Sequence, residues 1–348
     1  MNATVDTLPV AQAPARRTHR FTLLLRREFW EHRGGFLWAP AIAGAISLLL
    51  TAVFFVIAAV AISRADGDAR IMLDDGTSMS INGLDLGLLA TQMSAEDKAQ
   101  LASGIDLTML MSATWPYIVM MFVMFFYCLG ALYDERKDRS VLFWKSLPVG
   151  DGETVLSKVV SAVVVLPVIA TLVAIATMFG FLVLLSAMVL LHGGSPWELI
   201  WAPGHPFQMS LYMLAGIPVY ALWALPTVGW LMLCSAWARS VPFIWALVVP
   251  VLTGAFVSMF HIMHLVNLDS VWFWKNIVGR MLLGVIPMTY HDYGRLEALD
   301  VEGRGVLELV GPVGTYSNLA QPALWIGVVA GIVMLVLATR LRRWRDEG

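Results

Sequence analysis

Six stretches of this sequence, 37–62, 107–132, 159–191, 211–237, 241–265 and 323–339, run for 17 to 33 residues without a single Asp, Glu, Lys or Arg. A helix rises about 1.5 Å per residue and a bilayer's hydrocarbon core is about 30 Å thick, so about 20 apolar residues cross it. The last run is only just long enough. The third, 159–191, is too long for one perpendicular span and too short for two spans with a turn. It reads as one long or tilted helix, bent near Pro167. Hydrophobic residues make up 58% of the chain and charged residues 14%, against roughly 45–50% and about 25% in soluble domains. A soluble fold has nowhere to put that surface. The expectation is an all-α integral membrane protein with six transmembrane helices.

The basic residues orient the spans, because Lys and Arg beside spans stay on the cytoplasmic side. With the N-terminus inside, 16 of the 23 lie in the cytoplasm: six before residue 37, five from Arg136 to Lys158, Arg239, and four after residue 339. The opposite orientation inverts this bias. Both termini are therefore expected in the cytoplasm, with outer loops at 63–106, 192–210 and 266–322. Residues 271–290 are also largely apolar, but they carry Lys275, Asn276, Arg280 and Pro287, and charges at the bilayer centre cost several kcal/mol each. That segment reads as re-entrant or surface-lying helices on the outer face.

Residues 1–18, rich in Ala, Pro and Thr, are expected to be a disordered cytoplasmic lead. They do not form a signal peptide, since Arg26 and Arg27 interrupt the short apolar stretch at 21–25. Residues 19–33 then read as an amphipathic helix in the cytoplasmic interface, with Phe21, Leu24, Leu25, Phe29 and Trp30 as its apolar residues. A plain cytoplasmic extension of the first span is the simpler alternative. Cys128 and Cys234 lie within apolar runs and read as packing residues.

The loop after the second span is the most informative soluble piece. A charged turn from Asp134 to Arg139 leads into Val141, Leu142, Phe143, Trp144 and Leu147, then Pro148. These apolar residues are too few to cross a bilayer, so they need the membrane surface or a protein partner. A connection that only reverses the chain would need fewer residues. The acids of the first outer loop match no cation-cage spacing. His261 and His264 could ligand a metal with His205, or with His291 and Asp292, but histidine pairs are commoner than metal sites. No metal, catalytic or cofactor-binding residue is assigned. The sequence holds no phosphate-binding G-x-x-x-x-G-K-[ST] loop, so ATP hydrolysis is not expected in this chain. Gly327 and Gly331 make a small face in the last span, suited to close helix packing.

The loop pattern resembles the permease subunit of type-2 ABC exporters. The resemblance extends over essentially the whole chain from residue 19 onward, read as a single permease domain, 19–348. The residues that carry it are Glu135-Arg136, Val141 to Lys145, Ser146-Leu147-Pro148-Val149 and Ser157-Lys158; Arg139-Ser140 departs from the Gly-Thr pair such permeases place there. The resemblance implies a location in the cell (inner) membrane and a separately encoded ABC ATPase that binds ATP and Mg. This ATPase would contact the chain at 19–33 and 133–148. It also implies a second permease copy, identical or paralogous, and re-entrant helices at 271–290 closing the outer side. An export path between two copies would be lined by the second and fifth spans, where Met109, Met111, Phe122, Phe125, Phe126, Phe256 and Met259 offer an adaptable apolar surface. Such a path suits an amphipathic or lipid-like cargo. No nucleic-acid partner is suggested. The rivals are a secondary transporter, which needs intramembrane carboxylates absent from the six runs, a membrane enzyme, and a non-transporting anchor or sensor for an ATPase.

Overall fold

The computed structural model describes residues 17–64, 70–72, 78–80, 93–138, 150–263, 269–290 and 306–344. The lead at 1–16, the segment Val141, Leu142, Phe143, Trp144, Leu147 and Pro148, and His264, His291 and Asp292 lie outside them. Six helices are long and apolar enough to cross a membrane: Gly34–Ala61, Ala95–Lys137, Asp151–Leu191, Ile217–Trp237, Pro242–Ile262 and Pro322–Trp344. The chain is a multi-pass membrane protein. Among the described residues the only strands are Arg70–Met72 and Ser78–Ser80, an antiparallel pair in the segment after the first span.

Helix boundaries depart from the charge-free runs where local chemistry overrides hydropathy. The second helix starts at Ala95, twelve residues before its apolar run. Ser94 and Asp97 form a reciprocal capping box there, each side chain bonded to the other's backbone N–H, which satisfies two otherwise orphaned donors. The third run is a single helix, as expected, but its irregularity falls at Ser161–Val165, a π-helical turn just before Pro167. Proline has no N–H to give the carbonyl four residues back, and a wider turn accommodates that loss. The fourth run is not one helix. It divides at Gly216 into Pro206–Ala215 and Ile217–Trp237.

The second, third and fourth spans form the centre. One apolar core joins Met120, Met124, Leu166, Leu231 and Met232 near one end of the bundle. A second, with Met109, Met178, Leu182, Met209 and Met213, fills the other end. Cys128 and Cys234 are buried, unpaired core residues. The fourth and sixth spans pack at backbone distance. A Cβ added at Gly331 would lie 2.8 Å from the Leu225 backbone, and one at Gly229 would lie 2.7 Å from the Gly331 carbonyl oxygen. This is the small-residue face in use. The first and fifth spans pack on one side only, and Leu49, Phe54, Phe256 and Ile262 face outward.

The chain after the fifth span turns back into the bundle. Ser270–Phe273, a π turn at Trp274–Val278 and Gly279–Leu283 form one helical stretch. Trp274 donates to Ser258 at 2.9 Å, and ten residues down the fourth span Thr227 donates to the Arg280 carbonyl at 2.6 Å. Residues 284–290 then climb back along the same span, where the Tyr220 hydroxyl donates to Val285 O at 2.7 Å and the Trp223 indole to Thr289 Oγ1 at 3.0 Å. An arginine is thereby carried into the bundle. The Arg280 guanidinium lies 4.3 Å from the centre of the Trp223 ring and donates to the Ala323 and Leu324 carbonyls. It fills the space left by Gly327, where a Cβ would collide with it.

Candidate functional site

Charged side chains converge at the end of the bundle where the leading helix, Arg17–Glu31, meets the second, third and sixth spans. Lys158 Nζ sits 3.0 Å from Glu28 Oε1 and 3.1 Å from Glu135 Oε1. The other Glu135 oxygen lies 3.0 Å from Arg342 Nη2, and Arg342 Nε lies 3.7 Å from Asp151 Oδ1. The Tyr127 hydroxyl donates to Glu28 Oε2 at 3.0 Å. Glu28, Lys158, Arg342 and Glu135 are only 1%, 3%, 3% and 8% exposed. Charges so far from water persist only when paired, and removing one member strands the others.

Each member is placed by its own element. Glu28 sits on the leading helix one turn beyond buried Leu24. Glu135 lies on a short helical turn, Tyr133–Lys137, that continues the second span. Asp151 and Lys158 are on the first turns of the third span, and Arg342 is on the last turns of the sixth. Next to the cluster, the Ser235 hydroxyl accepts the backbone N–H groups of Leu132 and Tyr133 at 3.0 and 2.9 Å. Arg136 donates to the Ser235 and Ala238 carbonyls at 2.6 and 2.9 Å. The fourth span is thereby tied to the same knot. His32, Phe36 and Tyr127 close one side with edge-to-face and stacked rings.

The residues singled out in the sequence separate into distinct places. Glu135 and Arg136, expected to contact an ATPase, make their interactions inside the chain. On the leading helix Phe21, Leu25 and Phe29 are half-buried, while Trp30 is on the other face, exposed beside Arg33. The expected apolar stripe therefore excludes Trp30: helical geometry puts it next to Leu23, which is also exposed. The candidate path residues are not gathered into one surface within the chain. Phe125 and Phe126 pack against Phe243 at the start of the fifth span. Phe256 and Met259 lie near that antiparallel span's far end, away from Phe122, Phe125 and Phe126. Met111 faces outward but Met109 is a core residue. His205 pairs with Asp106 at 3.1 Å, and among the described residues no group of three His, Cys, Asp or Glu side chains is arranged to hold a metal.

Glu28 and Arg342 were missed as site residues, although a signal for each existed. Glu28 falls on the apolar stripe of its helix, and Arg342 continues the line of Gly331, Leu335 and Ala338 at helical spacing. A lone charge on an apolar stripe announces a buried partner. No family model matches the chain, and no curated protein and no solved structure matches it.

Proposed function

We propose that this chain is the membrane-spanning subunit of an ATP-driven ABC exporter, working as a pair of permeases and driven by a separate ATPase. The end of the bundle that carries the ion cluster would face the cytoplasm, with both chain termini on that side of the inner membrane. The observation that carries this reading is the cluster itself. It joins the leading helix, the exit of the second span, the start of the third and the end of the sixth into one block. The resemblance places ATPase contacts on either side of that block, at 19–33 and 133–148. Force applied there would reach four elements together, which is what coupling hydrolysis to movement of the spans requires. The chain's return at 270–290 supports the same reading. In a membrane this is a re-entrant segment, with its backbone groups satisfied by protein rather than lipid.

The arginine brought into the bundle by the return segment is not a group suited to carrying protons. Arg280 stays charged at any physiological pH and its partners are carbonyls and an indole face. Purification of the full chain from its native membrane tests the proposal. A nucleotide-hydrolysing subunit should accompany it at a fixed ratio, and its reproducible absence would contradict the exporter reading.

A further inference from the structure

Beside the ion cluster, between the leading helix and the second span, lies a cleft of about 920 Å³. Its two walls differ in chemistry. Phe36, Phe122, Val123 and Phe126 make one wall apolar, and Phe122 and Phe126 are more than half exposed. Gly35 lets the Val123 side chain close the back of the cleft, since a Cβ there would lie 3.1 Å from it.

The opposite wall carries acid in excess. Its acids are Glu31, Asp134, Glu135 and Asp138, and its bases are Arg27 and Lys158. Both bases are already engaged, Arg27 by Glu31 at 3.3 Å and Lys158 by Glu28 and Glu135. Asp134 and Asp138 stand one helical turn apart, both exposed, and neither has a basic partner among the described residues. Two carboxylates on one helix face repel each other, and a cation between them relieves that cost. Phe126, which lines the same cleft, adds an exposed aromatic face that attracts a cation.

We propose that this cleft binds a cationic amphiphile, with its ammonium group at Asp134 and Asp138 and its apolar body along Phe122 and Phe126. The arrangement suits a molecule lying in one membrane leaflet, because the charged wall is at the end of the bundle and the apolar wall runs along a span. Its role as the place where cargo is collected rests on the exporter reading, in which ligand and ATPase would share the stretches at 19–33 and 133–148; the binding itself does not rest on that reading.

The full chain, reconstituted without any ATPase in nanodiscs of zwitterionic phosphatidylcholine, provides the test. Radiolabelled dodecyltrimethylammonium should bind saturably above the level taken up by empty discs, and dodecyl sulfate should compete poorly. The double substitution Asp134→Asn and Asp138→Asn should weaken binding by about tenfold or more, the loss of roughly 1.4 kcal/mol of charge attraction. Asp134→Glu with Asp138→Glu should retain binding. Equal competition by dodecyl sulfate on the unmodified chain overturns the proposal whether or not the variants fold. Unchanged affinity in the Asn variant overturns it as well. Because no ATPase is present, loss of binding leaves the exporter reading standing, and failure of the exporter reading leaves the binding result intact.

Discussion

The two ends of the bundle are held together by different chemistry. At the end that carries the ion cluster, Glu28, Glu135, Asp151, Lys158 and Arg342 come from four elements and share partners. Away from that end, separate bonds dominate: Tyr220 to Val285, Trp223 to Thr289, Trp274 to Ser258, and the pair Asp106–His205. A shared network fails as a unit, because each charge depends on several others that water cannot reach. Separate neutral bonds each contribute only about 0.5–1.5 kcal/mol and can open singly. On these energetics the first is expected to move as a block and the second to rearrange in steps. On the exporter reading, the block is where an ATPase pushes and the stepwise end is where the outer side opens.

The sharpest way to break this contrast is Lys158→Met. It removes the ion-pair partner of buried Glu28 at 3.0 Å and leaves Glu135 with Arg342 alone, and the cost should be about 3–5 kcal/mol, read as a lower unfolding midpoint of the full chain in detergent. An unchanged midpoint would mean that water reaches the cluster. Gly331→Val tests the packing between the fourth and sixth spans, midway between the two ends. Its side chain would press on the Leu225 backbone, and about 1–3 kcal/mol should be lost as the helices part. Tyr220→Phe removes one hydroxyl at the stepwise end and should cost only about 1 kcal/mol. If it proves as damaging as Lys158→Met, the two ends are not different in kind.

Much of the fold was legible because hydropathy and length are local properties of the sequence. The six runs named six helices, and Lys275, Asn276 and Arg280 marked 271–290 as something other than a seventh. What hydropathy could not supply were boundaries set by hydrogen bonding. The Ser94–Asp97 box extends the second helix through polar residues, and Gly216 divides an apolar run that carries no charge to mark the break. At the site, Glu135 and Lys158 stood out from the loop pattern, yet the pattern gave Glu135 a partner outside the chain and Lys158 none. Their partners are Glu28, which pairs with Lys158 from 130 positions before it, and Arg342, which pairs with Glu135 from 207 positions after it, and only the tertiary fold brings these together. The path residues were read as lining a path between two copies of the chain because all are large and apolar, and they lie at different points along the spans. Antiparallel spans place Phe126 and Phe256 at opposite depths.

The central claim is that this end of the bundle is the docking block for a separate ATPase, and it is tested most directly at Trp144 and Leu147. Charged replacements at both, Trp144→Glu with Leu147→Glu, should reduce the ATPase that co-purifies with the full chain by about 30-fold, as expected for loss of about 2 kcal/mol at an interface hot spot. The unfolding midpoint of the chain alone should be unchanged. A doubly substituted chain that retains its ATPase in full would contradict the account.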